Sequence, residues 1–375
     1  MTRWLTVWVV GVGLGSPLTA CSPVDSLADG APLPLSETSP RLQAAIDTWA
    51  ATAGHRGVSA AVILASGEEW VGAAGTEAAG AELGPEHLIW IASITKTMTG
   101  AVILQLAEEG VLDLEDPVSR WLPTLPNVDP DITLRQLLNH TNGLANYTAS
   151  AALGAAIDAD PLHRFTPLEL LAYVGPPSFV RGQRTQYTNT SFLLLGMVAE
   201  AATGEAITDL YAERLWAPLG LTEVFLPGAQ AAPAPVAVAW AGQSAENAVA
   251  PLDWMSLVTI GQSAFGLFSN ARTVARWGRA LFTGSVLQPT TRARMLELVP
   301  AAGNIPGESG AGLGIRAYGY LGRTQYGHSG GVSLGSSLLL FDPESGITVA
   351  VLMNQGSGAA HFSLAPRLLE IAAGR

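Results

Sequence analysis

The chain has 375 residues, of which 48% are hydrophobic and 13% charged, enough for one large core or two closely joined domains. Its net charge of -12 provides no broad cationic surface. We therefore expect no binding to nucleic acid, and no attachment to anionic lipid through a basic patch.

The first twenty residues are typical of an export signal. Arg3 precedes an apolar run from Trp4 to Leu14, and Leu18-Thr19-Ala20-Cys21 is similar to the lipobox of bacterial lipoproteins. We predict a signal peptide over residues 1–20 and lipidation of Cys21, the only cysteine, which would anchor the exported protein to a membrane of the cell envelope. The alternatives are an ordinary secretory signal with an incidental cysteine, or an uncleaved anchor.

Residues 21–40 are rich in Ser, Pro, Ala, Asp and Gly, which predicts a solvated tether. The main folded domain is expected over 41–375, with a first helix at 41–53. The runs Val58 to Ala65 and Trp70 to Ala74, joined by a Ser-Gly turn, then predict a β-hairpin.

The middle of the chain predicts helices. One begins at Ser93 and continues to Gly110, whose position suits a helix end. Thr166-Pro167-Leu168-Glu169 has the cap, first-turn proline and capping-box glutamate of a helix start. Further helices are expected after Thr190, Gly204 and Asn270. We place a helical subdomain at about 115–255, and residues 227–251 predict a surface loop.

Strands are predicted again near the end of the chain. Val332 to Phe341 and Ile347 to Met353 flank a turn at residues 342–346, and a helix at about 362–373 follows. Strands at both ends with helices between them predict an α+β fold of the α/β-sandwich type. Its antiparallel sheet would be built from both chain ends, flanked by helices, with a mostly helical domain inserted.

Ser93 and Lys96 form the sharpest local signal for chemistry. Residues three apart share one helix face, so the amine can reach the hydroxyl. A serine needs an adjacent base, and a lysine can serve when burial lowers its pKa. Lys96 is the only lysine among 19 basic residues, and the arginines stay protonated. A chance serine on a solvated helix face is the alternative.

Three motifs in order give the chain a family resemblance. They are Ser93-Ile94-Thr95-Lys96, Tyr187-Thr188-Asn189 and His328-Ser329-Gly330, with a matching flank from Leu137 to Leu144. Together they resemble the serine β-lactamase-like, penicillin-binding family of secreted D-alanyl-D-alanine carboxypeptidases, class C β-lactamases and related esterases. The resemblance implies the β-lactamase/transpeptidase-like fold.

The resemblance also implies catalytic roles. Ser93 would attack a carbonyl and form an acyl-enzyme, with Lys96 and Tyr187 sharing the proton transfers. His328 would stand where β-lactamases carry a lysine, positioning the tyrosine or polarising the site. Backbone N–H groups of Ser93 and Gly331 would form the oxyanion hole.

Substrate-binding roles follow from the same resemblance for Asn189, Ser329, Gly331 and Arg316. Asn189 would hydrogen-bond the lysine or the substrate amide; taken alone, it is a helix cap. Arg316 falls where carboxypeptidases of this family bind the free carboxylate of the peptide, and a surface arginine on a strand is the alternative. The chain departs from those peptidases at Gly331, where they have a hydroxyl residue.

A competing motif overlaps the third one. Gly327 to Gly331 also fits the G-x-S-x-G nucleophile elbow around Ser329, with Asp342 and His361 following in order. An elbow needs a helix after the serine, whereas a strand is predicted there.

The remaining histidines predict no metal centre. His55, His87, His163 and His361 have no ligand spacing, so we expect neither metal nor cofactor. His140 is expected to be structural, bonding a backbone carbonyl.

Two functions remain open from the sequence. The first is a serine hydrolase of the envelope acting on a small-molecule or peptide substrate: D-alanyl-D-alanine ends, β-lactams, or small esters and amides. The second is a non-catalytic, lipid-tethered protein that binds peptidoglycan stem peptides.

Overall fold

The computed structural model describes residues 34–77, 80–240, 248–284, 286–301, 305–356 and 360–375. The predicted signal peptide, Cys21 and most of the predicted tether lie outside these ranges.

The strands are β1 (Val58–Ile63), β2 (Glu69–Ala74), β3 (Ile89–Trp90), β4 (Val224–Phe225), β5 (Ala239–Trp240), β6 (Ala248–Val249), β7 (Phe268–Ser269), β8 (Val299–Pro300), β9 (Glu308–Ala311), β10 (Arg316–Tyr320), β11 (Arg323–Val332), β12 (Gly335–Asp342) and β13 (Ile347–Met353). The helices are α1 (Leu35–Ala50), α2 (Thr95–Glu108), α3 (Leu134–Leu138), α4 (Ala151–Ala159), α5 (Pro167–Leu171), α6 (Asn189–Thr203), α7 (Ile207–Tyr211), α8 (Ala217–Leu219), α9 (Met255–Thr259), α10 (Gln262–Phe265), α11 (Ala271–Thr283), α12 (Pro289–Met295) and α13 (His361–Ala372).

One antiparallel sheet joins the two ends of the chain. Within the described ranges its order is β2-β1-β13-β12-β11-β10-β9-β8, and β1 pairs with β13 from Val58 opposite Met353. Helices α1 and α13 pack together on the sheet, and α11 contacts β1, β12 and β13. This arrangement confirms the predicted α+β fold with a sheet built from both termini.

The first helix extends into the predicted tether. It begins at Leu35 rather than at residue 41, and Pro40 lies inside it. The buried residues Thr38, Leu42 and Ile46 recur at helical spacing, so their burial against the sheet outweighs the serine- and proline-rich composition. The helix predicted to begin at residue 41 therefore begins earlier, at Leu35.

Most local predictions were confirmed. Strands β1 and β2 form the predicted hairpin, and α5 begins with the complete capping box of Thr166 and Glu169. Asn270 caps α11 by accepting a hydrogen bond from the Thr273 N–H. The predicted surface segment 227–251 also contains the short strands β5 and β6.

The third motif lies inside a strand. Residues Gly327 to Gly331 belong to β11, which ends at Val332 before β12 begins at Gly335. The strand predicted from Val332 to Phe341 is therefore mostly β12. Because no helix follows Ser329, the nucleophile-elbow alternative is wrong.

Among the described helices, none is by itself both long and apolar enough to cross a membrane. The pair Asn189–Thr203 and Ile207–Leu219 meets the criterion only jointly, across a bend of 88°.

Candidate active site

Ser93 lies in a single 3-10 turn, Ala92–Ile94, directly before α2. Ala92 has a positive φ of 48°, which costs energy in a residue with a side chain. The Thr95 hydroxyl donates to the Ala92 carbonyl at 2.7 Å, and the Ser337 hydroxyl donates to the Ile91 carbonyl at 2.8 Å. These bonds hold the strained turn and fix the direction of the serine.

Strand β11 packs directly against this turn at Gly330. A Cβ atom there would lie 2.5 Å from the Ile91 carbonyl oxygen and 2.9 Å from the Ala92 Cβ. Only glycine allows so close an approach of two backbones. The next residue, Gly331, is exposed.

Lys96 is completely buried beneath the serine. Its Nζ lies 3.2 Å from Ser93 Oγ, 2.7 Å from Asn189 Oδ1 and 2.8 Å from the Ala264 carbonyl oxygen. Burial, with a smaller contribution from the nearby charge of Arg316, holds the pKa of Lys96 well below its ordinary value. A neutral amine donates two protons, to Asn189 and Ala264, and its lone pair is then left for the serine hydroxyl.

Asn189 is the first residue of α6 but not its cap. The Thr188 hydroxyl caps the helix by accepting from the Thr190 N–H at 3.2 Å. This frees the Asn189 amide, which accepts from Lys96 and donates to the Thr148 hydroxyl at 3.2 Å. The predicted contact between Asn189 and the lysine is therefore present.

Tyr187 closes the other side of the serine. Its hydroxyl donates to Ser93 Oγ at 2.6 Å, and Lys96 Nζ lies 4.7 Å from the centre of its ring. Burial raises the pKa of Tyr187 to about 12, so the phenol is protonated at neutral pH. The phenol is therefore a proton donor to the serine.

His328 is buried behind the tyrosine, with ring centres 6.2 Å apart. Burial, and then the charges of Arg316 and Lys96, keep the pKa of His328 well below its ordinary value. Its Nδ1 lies 2.6 Å from the Ser329 carbonyl oxygen, so the neutral ring carries its proton on Nδ1. Nε2 is therefore a hydrogen-bond acceptor.

Arg316 is 4% exposed and not a surface residue. Its Nη1 forms a close ion pair with Glu308 Oε1, and its guanidinium carbon lies 4.5 Å from the centre of the Tyr187 ring. The carboxylate of Glu308 thus occupies a donor that a substrate carboxylate would need. Carboxylate binding by Arg316 stays a prediction.

Ser329 is separate from the other predicted residues. It is 7% exposed. In the described part of the chain, no hydrogen bond joins it to Ser93, Lys96 or Tyr187. Its substrate-binding role also stays a prediction.

Three contributions to the site were missed from the sequence. The Ala264 carbonyl carries no side-chain signal, and Glu308 lies in a turn-like stretch where an acid is ordinary. His140 lies 4.6 Å from the Tyr187 ring, between ring centres, and its Nδ1 accepts from the Thr188 N–H at 3.4 Å. The expected carbonyl partner was wrong, because the partner is a backbone donor.

Among the residues that the structure describes, no three His, Cys, Asp or Glu side chains lie close enough together to hold a metal ion.

Comparison with known proteins gives consistent results. The model of the Beta-lactamase family matches residues 42–373. Penicillin-binding protein 4 of Amycolatopsis lactamdurans is 28% identical over 72% of this chain and 73% of its own. A D-aminopeptidase of Cereibacter sphaeroides is 33% identical over 41% of this chain, a match that spans 30% of that relative.

Among solved structures, a D-stereospecific amidohydrolase from Streptomyces sp. superposes with a TM-score of 0.76 and 30% identity. The match covers 87% of this chain and 98% of that one. With the fold and the buried serine-lysine pair, these matches define the class as serine hydrolases. The chain belongs to the Beta-lactamase family.

Proposed function

We propose that this enzyme hydrolyses amide and peptide bonds on the carbonyl side of D-amino acids, through an acyl-enzyme on Ser93. One observation carries the catalytic part of the proposal. Lys96 Nζ lies within hydrogen-bonding distance of Asn189 Oδ1, the Ala264 carbonyl oxygen and Ser93 Oγ, so a neutral amine that donates to the first two directs its lone pair at the serine.

The proton transfers follow from the two shifted pKa values. As Ser93 Oγ attacks the carbonyl carbon, its proton passes to the neutral amine of Lys96. The oxyanion is held by the backbone N–H groups of Ser93 and Gly331. Tyr187 gives its proton to the leaving nitrogen, the C–N bond breaks, and the proton on Lys96 restores the phenol. Water then attacks the ester and the same groups return the protons.

The substrate class is supported by the relatives. Two of the similar proteins, a D-stereospecific amidohydrolase and a D-aminopeptidase, are named for activity on D-amino-acid compounds. The finer prediction from the sequence is D-alanyl-D-alanine cleavage at peptidoglycan stem peptides. Hydrolysis of β-lactams or small esters would use the same serine.

Labelling of the serine tests the acyl-enzyme. A fluorescent fluorophosphonate or penicillin should label the wild type and Ser329→Ala, and labelling should disappear in Ser93→Ala. Ser329→Ala is the matched control because it removes a neighbouring hydroxyl. Equal labelling of all three proteins would refute the assignment of Ser93.

A substrate panel tests the specificity. D-alanine p-nitroanilide and its L-enantiomer, a D-alanyl-D-alanine peptide, nitrocefin and a nitrophenyl ester are compared at one enzyme concentration. We expect the D-anilide to be cleaved at least about tenfold faster than the L-anilide, a difference of about 1.4 kcal/mol. Equal rates for the two enantiomers would contradict a D-specific site.

We also propose that the enzyme acts in the cell envelope, anchored through a lipid on Cys21. The apolar run after Arg3 and the single cysteine at the lipobox position support this location. Expressed in a bacterial host, the full chain should enter the detergent phase and incorporate labelled palmitate. Cys21→Ser should do neither; palmitate labelling that survives in this variant would disprove the anchor.

A further inference from the structure

A buried ion pair stands behind the catalytic tyrosine. The side chains of Glu308 and Arg316 are 2% and 5% exposed. Arg316 lies 4.5 Å from the Tyr187 ring centre, and the Tyr187 hydroxyl lies 2.6 Å from Ser93 Oγ. The pair is therefore one side chain away from the nucleophile.

The sheet brings the pair together at the edge of the site. Glu308 stands opposite Tyr318, two residues after Arg316, and the register shifts between Ala317 and Tyr318 because β9 contains one extra residue there. Such a bulge redirects side chains locally, and the two long side chains meet diagonally across the strands.

Glu308 determines the net charge around the serine. Burial lowers the pKa of Lys96, His140 and His328 well below their ordinary values, which favours the neutral form of each. An arginine stays charged even when buried, so Arg316 brings a positive charge to this cluster. The carboxylate of Glu308 cancels its charge.

The pair is not fully satisfied as a structural element. Glu308 Oε2 and Arg316 Nε are buried and have no hydrogen-bond partner among the described residues. A buried acceptor without a partner destabilises a fold, and replacing such a pair by apolar residues is often neutral or stabilising. A role in the reaction explains its presence better than a role in stability.

We propose that Glu308 makes the site selective for substrates whose leaving group is uncharged, and against leaving groups that carry a free α-carboxylate. This inference rests on the proposed amide hydrolysis and specifies its leaving group. A carboxylate beside Tyr187 would need the guanidinium of Arg316, whose Nη1 is already bound. It would also meet the negative charge of Glu308 in a poorly solvated place. Neutral amides and esters meet neither obstacle.

Two substrates with the same scissile bond test the proposal. D-alanyl-D-alanine carries the carboxylate, and in D-alanyl-D-alaninol a hydroxymethyl group replaces it. We expect the wild type to prefer the alaninol compound by about tenfold or more in kcat/KM. A preference for the carboxylate compound would overturn the proposal without any variant.

Glu308→Gln then tests the residue itself. The substitution keeps the size of the side chain and leaves the guanidinium of Arg316 without a counter-ion. The ratio of the two kcat/KM values should therefore shift by about tenfold toward the carboxylate substrate. Glu115→Gln is the matched control, since it breaks an exposed ion pair with Arg135 and should leave the ratio unchanged. An unchanged ratio in a folded Glu308→Gln protein would refute the proposal.

The outcomes separate this inference from the proposed function. If the wild type cleaves neither compound and Ser93 is not labelled, amide hydrolysis itself is wrong. If Ser93 is labelled and both compounds are cleaved without the expected preference, only the role of Glu308 is wrong. If Glu308→Gln does not fold, the wild-type preference decides.

Discussion

Burial acts differently on two bases in this site. Lys96 lies among neutral acceptors and Tyr187, and burial lowers its pKa, which favours the neutral amine. Arg316 cannot release its proton, and its charge is balanced by the carboxylate of Glu308. A lysine is therefore usable as a base, whereas an arginine in similar surroundings can only be paired. The comparison explains why the single lysine of the chain lies at this point.

Replacing Lys96 by arginine should have the largest effect on turnover. Lys96→Arg keeps a basic side chain but removes the titratable amine, so kcat should fall by about a thousandfold. Stopped assays on purified, folded protein measure this loss. Arg276→Lys, at an exposed ion pair with Glu69, should remain active. Turnover near the wild-type level in Lys96→Arg would mean that another group accepts the serine proton.

Breaking the arginine pair should affect stability more than the exposed pairs do. Arg316→Gln leaves Glu308 buried without its cation, which should lower the free energy of unfolding by about 3 to 5 kcal/mol. The double variant Arg316→Gln/Glu308→Gln should recover part of this loss. Urea unfolding measures the free energy of unfolding of the wild type, Arg316→Gln and the double variant. Arg276→Gln is the surface control and should cost no more than about 1 kcal/mol; an equal cost at both sites would contradict a desolvated pair.

The pH dependence of activity should report the lysine. Because the neutral amine is the active form and its pKa is lowered, kcat/KM should fall about tenfold per pH unit once the pH is below that pKa. The pKa of Tyr187, about 12, predicts no loss from the phenol up to pH 9.5. Tyr187→Phe should be slower and should keep the acidic limb. Loss of that limb in Tyr187→Phe would assign it to the phenol instead.

The smallest expected effect is on the pH dependence of the free energy of unfolding. Lys96 binds its proton more weakly in the folded chain than in the unfolded one, where its pKa is near 10.5. Unfolding therefore takes up a proton between the two values, and stability rises with pH there by at most about 1.4 kcal/mol per unit. Lys96→Met should lack this rise. If the free energy of unfolding changed with pH in the same way in the wild type and in Lys96→Met, the buried amine would be charged.

Features that depend on short residue spacing or on apolar periodicity could be predicted from the sequence. Ser93 and Lys96 meet because a single turn separates them, and the sheet of both termini followed from its alternating apolar runs. Contacts made through the backbone were not predictable, since the Ala264 carbonyl under Lys96 could belong to any residue type. Glu308 was missed because only the register of β9 and β10 brings it to Arg316. The start of α1 was missed because its proline and serines concealed the spacing of Thr38, Leu42 and Ile46.

The contact between Gly330 and the turn of Ala92 has a consequence for the timing of activity during biosynthesis. The serine and the lysine leave the ribosome early, but the wall that faces them belongs to a strand made near the end of translation. That strand lies between β10 and β12, its neighbours in the chain. A polypeptide that ends before β11 thus carries the reactive pair without a working pocket, and hydrolysis requires β11 to have joined the sheet.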